Sequence, residues 1–124
     1  MSLTIRSETS RMRVIRHALE ITDYQAINLP TDGNLLSVAQ SRTCPNTQID
    51  LWALDHECGV PNQPAGIYII GTGSPIPGDL AAELAPETVG GIRAVLPPVV
   101  QQFIGTVVTP SGLVWHVFEG PVRR

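Results

Sequence analysis

Lysine is missing from this 124-residue sequence, in which all eight basic residues are arginine. Charged residues amount to 15%, against about a quarter in ordinary soluble domains, so the surface is comparatively uncharged. The arginines do not cluster and the net charge is -3, which excludes the basic stripe that a nucleic-acid footprint needs. No apolar run approaches the roughly 18 residues of a membrane span. The N-terminus also lacks the basic region and apolar core of a signal peptide, so a cytoplasmic protein without membrane contact is expected.

Cysteine is scarce as well, with only Cys44 and Cys58. Together with His56 they form the one arrangement suited to a metal. It supplies three ligands at most and lacks a Cys-x-x-Cys pair, so no metal and no other cofactor is expected. In a reducing compartment the two thiols are expected to stay free. There is no Gly-x-Ser-x-Gly elbow of the hydrolase kind. Gly71-Thr72-Gly73-Ser74 has neither a Gly-x-Gly-x-x-Gly nor a Gly-Lys-Ser/Thr continuation, and Pro75 and Pro77 remove N–H donors that a phosphate cradle would use.

What is present is β-forming. Phe103 to Val108 leads through Thr109-Pro110-Ser111-Gly112 into Leu113 to Phe118. Pro110 presets φ for a turn, and Gly112 can take the left-handed conformation that closes it. A loop of Pro110 to Gly112 sets Thr109 opposite Leu113, Val107 opposite Trp115, Gly105 opposite Val117 and Ile104 opposite Phe118. The returning strand is apolar on both faces and is expected to be central. Trp52 and Trp115 read as sheet-packing residues, with the Trp115 indole filling the space that Gly105 leaves.

Upstream, Ile15, His17, Leu19 and Ile21 alternate with polar residues in a strand over Met12 to Ile21. Further strands are expected from Gln25 to Leu29, from Asn34 to about Arg42, from Gln48 to Asp55 and from Ile67 to Ile70. His56 to Gly66 reads as loop because of its prolines and glycines. Asp79 is placed to cap a short helix over Leu80 to Leu84. The length suits a single domain. The expected fold is mostly β, an antiparallel sandwich or partly closed barrel of about seven strands with one or two short helices. Residues 1–11 are expected to form a flexible arm, 12–120 the β-rich domain and 121–124 a C-terminal tail.

The candidate ligand-binding residues are His116, Thr106, Gly71, Thr72 and Gly73. His116 is either a base or ligand contact in an apolar pocket, or a buried histidine satisfied by the Thr106 hydroxyl or a carbonyl. The Gly71 to Gly73 segment reads as a sharp turn, or as a weak anion nest. No Ser, Cys or carboxylate nearby in sequence completes a catalytic set, so no catalytic residue is assigned.

Leu19-Glu20-Ile21-Thr22-Asp23-Tyr24-Gln25, Leu35-Leu36-Ser37-Val38, Leu51-Trp52-Ala53-Leu54, Gly71-Thr72-Gly73 with Pro75-Ile76-Pro77, Phe103-Ile104-Gly105-Thr106 and His116-Val117-Phe118-Glu119 follow one another along the chain. In these motifs and their order the chain resembles a family of small phage- and prophage-encoded proteins of unknown function. The resemblance implies a phage or prophage origin and a compact β domain, and it marks 84–101 as an insertion. On this basis the expected function is a non-enzymatic accessory protein that binds a host or phage macromolecule. A binder of a small polar molecule, such as a nucleotide signal, is the alternative, and an enzyme is the last reading. A homodimer is expected because uncharged edges, Ile67 to Ile70 above all, lack the lysines that usually protect them.

Overall fold

A computed structural model describes residues 12–30, 34–55, 62–84, 88–89, 92–93 and 103–123. The strands are β1 (Arg13–Glu20), β2 (Tyr24–Pro30), β3 (Asn34–Gln40), β4 (Gln48–Asp55), β5 (Asn62–Gly71), β6 (Thr88–Val89), β7 (Ile92–Arg93), β8 (Phe103–Val108) and β9 (Val114–Gly120). Among the described residues a helix, α1 (Gly78–Leu84), follows β5. Seven of the strands form two antiparallel sheets in the orders β1-β4-β3 and β2-β5-β9-β8, while β6 and β7, among the described residues, pair with each other. This is the expected β architecture, formed as two open sheets rather than a closed barrel. The expected N-terminal arm lies outside the described residues, as do most of the expected insertion, His56 and Cys58.

The alternation in β1 has a direct physical reading. Ile15, His17 and Leu19 stand opposite Ala53, Leu51 and Ile49 of β4, and Leu19, Ile49 and Leu51 are fully buried. They join Ile67, Ile69, Val107 and Val117 of the other sheet in the main core. The second sheet is also covered on its outer face, where Tyr68, Ile70 and Phe118 pack with Leu80 of α1. Two apolar faces are therefore what β5 and β9 require, and both strands are interior to their sheet. Of Ile67 to Ile70, the segment expected to offer an edge for self-association, Ile67 and Tyr68 lie between β2 and β9, and Ile69 and Ile70 pair with β9.

Three local readings change. Asn62 to Gly66, expected as loop, extends β5 because it pairs with β2 from Ala26 to Pro30. Pro64 is tolerated there because β9 begins its pairing only at Gly66, so that end of β5 has a neighbour on one side alone. The hairpin keeps the expected register up to Gly105 opposite Val117. A bulge at Ile104 then sets Phe103, not Ile104, opposite Phe118, and Ile104 packs on the main core. The space above Gly105 belongs to Val38 of the other sheet, whose Cγ2 would lie 2.9 Å from an added Cβ. Trp115 instead lies against Gly71, its cross-strand partner.

His17 carries a pH signature. Burial pushes its pKa below the ordinary 6.5, and among the described residues its Nε2 has no hydrogen-bond partner. The unfolded chain then binds the proton more readily than the folded one. Stability should be fully present above about pH 6.5 and fall as the pH drops through the lowered value. Urea titrations between pH 7.5 and 5 should show that decline, and His17→Leu should flatten it. An unchanged slope in the variant would remove His17 as its source.

Candidate functional site

Strand pairing assembles three of the five candidate residues. Thr106 of β8 stands opposite His116 of β9, and the turn after β5 brings Thr72 to the other side of the ring, with the Thr72 N–H donating to Val114 O at 3.3 Å. The Thr106 Oγ1 lies 3.0 Å from His116 Nδ1, and the Thr72 Oγ1 lies 2.7 Å from Nε2. A neutral imidazole has one N–H and one acceptor. One hydroxyl therefore accepts from the ring while the other donates to it. Both nitrogens are thus occupied in a half-buried histidine, and among the described residues no carboxylate joins the string.

Gly71, Thr72 and Gly73 form the turn that carries this arrangement. Gly73 has φ of 87°, a left-handed conformation that glycine adopts without a Cβ penalty. Ser74 N–H donates to Gly71 O at 3.0 Å. With the Thr72 and Ser74 N–H groups both bonded within the protein, a sharp turn describes the segment better than an anion nest.

Beside the turn are two clefts, of about 400 Å³ and about 370 Å³, which share Gly71, Ser74 and Trp115. Asp23, Pro75 and Pro77 are among the other residues of the larger, while Thr72, Gly112 and Leu113 are among those of the smaller. Of the candidate residues, His116, Thr106 and Gly73 line neither. The hydroxyl–imidazole string therefore reaches the smaller cleft at Thr72 alone.

A second polar cluster escaped the sequence reading. Tyr68 is fully buried, and its hydroxyl faces two acceptors, Asp79 Oδ2 at 2.8 Å and Pro121 O at 2.5 Å. Arg123, in the segment expected as a tail, donates through Nε to Asp79 Oδ2 at 2.8 Å and through Nη2 to Oδ1 at 3.3 Å. Its backbone N–H donates to the Tyr24 hydroxyl at 2.9 Å. Its guanidinium lies 4.6 Å from the Tyr24 ring centroid and 5.2 Å from that of Tyr68. Hydrogen bonds from Arg123 and then Tyr68 hold the Asp79 carboxyl well below the usual carboxylate range. Burial, followed by the hydrogen bond to Asp79, pushes the Tyr68 phenol up to about 12. Asp79 lies inside the first turn of α1, where it accepts from Leu80 N–H at 3.0 Å, but its main partners are Arg123 and Tyr68. This cluster binds the end of the chain to β5 and α1.

The remaining chemistry-bearing groups do not build a metal site among the described residues. Cys44 is an exposed free thiol. Asp50, fully buried, pairs with Arg16 at 2.9 Å and Arg42 at 3.7 Å. No helix among the described residues is long and apolar enough to cross a membrane.

Residues 11–124 match the family DUF7352, described as a domain of unknown function, and the chain belongs to that family. No curated protein matches the chain, and no solved structure does.

Proposed function

We propose that the chain is a non-enzymatic binding protein of phage or prophage origin that acts in the cytoplasm on a host or phage macromolecule. The observation that carries this reading is the outer face of the β8–β9 hairpin. Its histidine is occupied at both ring nitrogens by threonine hydroxyls, while Phe103, Val108 and Leu113 nearby are 38%, 51% and 54% exposed. Apolar side chains left in water around a satisfied polar centre suit docking better than proton transfer. The phage origin is carried by the sequence resemblance alone.

Tagged wild-type protein should capture a partner from host lysate, and Val108→Glu should abolish capture while melting at the same temperature. Recovery of nothing above background by the wild type would overturn the reading. We further propose that the chain forms a homodimer through a sheet edge, for which β1 and β2, each paired on one side alone among the described residues, are better suited than Ile67 to Ile70. Light scattering coupled to gel filtration tests this, and a mass near 13.4 kDa would refute it.

The clefts beside Trp115 favour a second reading, a binder of a small polar molecule such as a nucleotide signal. Native mass spectrometry after incubation with cell extract separates the two, since only this reading gives a reproducible small adduct.

A further inference from the structure

We infer that the larger cleft is a receptor for a cationic group, an ammonium or guanidinium, carried on an apolar stem. This rests on reading the chain as a binding protein and names the chemistry that the cleft would take. Its volume of about 400 Å³ falls within the range of roughly 300 to 1,000 Å³ typical of small-ligand sites. The walls are mainly apolar, with Ile69, Pro75, Pro77 and Trp115 among them, and the one ionisable residue is Asp23.

Asp23 is exposed in the turn between β1 and β2. That turn is held by bonds that leave its carboxylate unused. Asp23 O accepts from Ile69 N–H at 3.4 Å, Thr22 Oγ1 donates to Tyr24 O at 3.2 Å, and Gln25 Nε2 donates to Glu20 O at 2.7 Å. Among the described residues the Asp23 carboxylate makes no hydrogen bond or ion pair. Asp79 and Asp50, by contrast, are each met by arginine. An unneutralised carboxylate on a residue that lines a mainly apolar cleft attracts a cation and opposes an anion.

Trp115 adds a second point of recognition. A Cβ at Gly71 would stand 3.4 Å from the indole Cζ3 and 3.4 Å from Ser74 Oγ, so the benzo ring and the hydroxyl converge where glycine supplies no side chain. An aromatic ring attracts a cation, and a hydroxyl accepts from its N–H groups. No arginine or histidine lines this cleft. Its charge is therefore wrong for a phosphate, and the preferred ligand is either a free alkylamine or the Arg or Lys side chain of a protein partner.

The test is titration of the ¹⁵N-labelled full chain with n-pentylamine and with a capped arginine tripeptide, using 1-pentanol and pentanoate as neutral and anionic controls. Saturable shifts at Gly71, Ser74 and the Trp115 indole N–H are expected with the two cations only. Asp23→Asn, at an exposed turn position, should weaken binding about tenfold, the loss expected for a hydrogen bond to a charged group. Tighter binding of the tripeptide would identify a protein side chain as the occupant, and tighter binding of the amine a free small molecule. Equal shifts with pentanol, undiminished affinity in Asp23→Asn with an unchanged melting temperature, or no saturation with either cation would overturn the inference. A failed cleft with retained lysate capture would leave the β8–β9 docking reading standing, whereas cation binding without capture would sink that reading alone.

Discussion

Truncating Tyr68 to alanine is expected to lower the unfolding free energy by about 3 to 5 kcal/mol, the usual cost of removing a buried aromatic side chain. Against the roughly 5 to 15 kcal/mol that a domain possesses, this brings the protein close to unfolding. Tyr68 is fully buried and forms the outer cluster with Ile70, Leu80 and Phe118, while its ring meets Tyr24 edge-on at 5.1 Å. It is also the polar link between β5, α1 and the C-terminal segment, through Asp79 and Pro121. Tyr68→Phe keeps the packing and removes the hydroxyl, so its loss should be nearer about 1 kcal/mol. The two variants separate apolar from polar contributions in one set of urea melts.

The same phenol gives an alkaline signature. Because the folded protein holds Tyr68 protonated up to about pH 12, whereas a free tyrosine ionises near 10, the unfolded chain loses the proton first. Stability should therefore fall as the pH rises from 10 towards 12, and Tyr68→Phe should remove that part of the decline. A Tyr68→Ala protein as stable as the wild type would displace the ring from the outer cluster.

The sequence made some of this legible and concealed the rest for physical reasons. Period-2 alternation locates β1 to within a residue at each end, and β4 coincides with its expected bounds. Local turn chemistry does the same for the hairpin, where Gly112 has the left-handed φ of 91° that closes its loop. The unread features depend on contacts distant in sequence. Pro64 and Gly66 punctuate the chain locally, yet β2 supplies the ladder that keeps them in β5. Thr72 and His116 stand out in the sequence for separate reasons, but their contact spans 44 residues and exists because β5 pairs with β9. Asp79 and Arg123 are also 44 residues apart, and no periodic pattern announces such a pair. An acidic residue before a helix reads as a cap, and an arginine near a terminus reads as a tail. Only the buried Tyr68 between them shows that they are one cluster.

Gly66→Ala is expected to be the most disruptive single-methyl change in the described fold. In the sequence Gly66 has the local signature of a loop glycine, but it sits where β9 and the following residues cross β5. A Cβ there would lie 2.6 Å from Pro121 O and 2.8 Å from Gly120 O, both backbone atoms. A side chain in the way can rotate, as Val38 can above Gly105, but backbone must move as a unit. Here the backbone is also pinned, because Tyr68 donates to Pro121 O and Arg123 is held by Asp79 and Tyr24. Relieving the clash therefore means loosening the clasp that secures the chain end. The loss should reach or exceed the upper end of the roughly 1 to 3 kcal/mol typical of overpacking. The near-UV dichroism of Tyr24 and Tyr68 should weaken with it. Gly78→Ala provides the control, since a Cβ at the start of α1 meets nothing within 4 Å, and alanine favours helix over glycine by about 1 kcal/mol at most. If urea melts showed Gly66→Ala to be as stable as Gly78→Ala, the close passage of the C-terminal segment over β5 would be refuted, and with it the placement of Arg123 against Asp79.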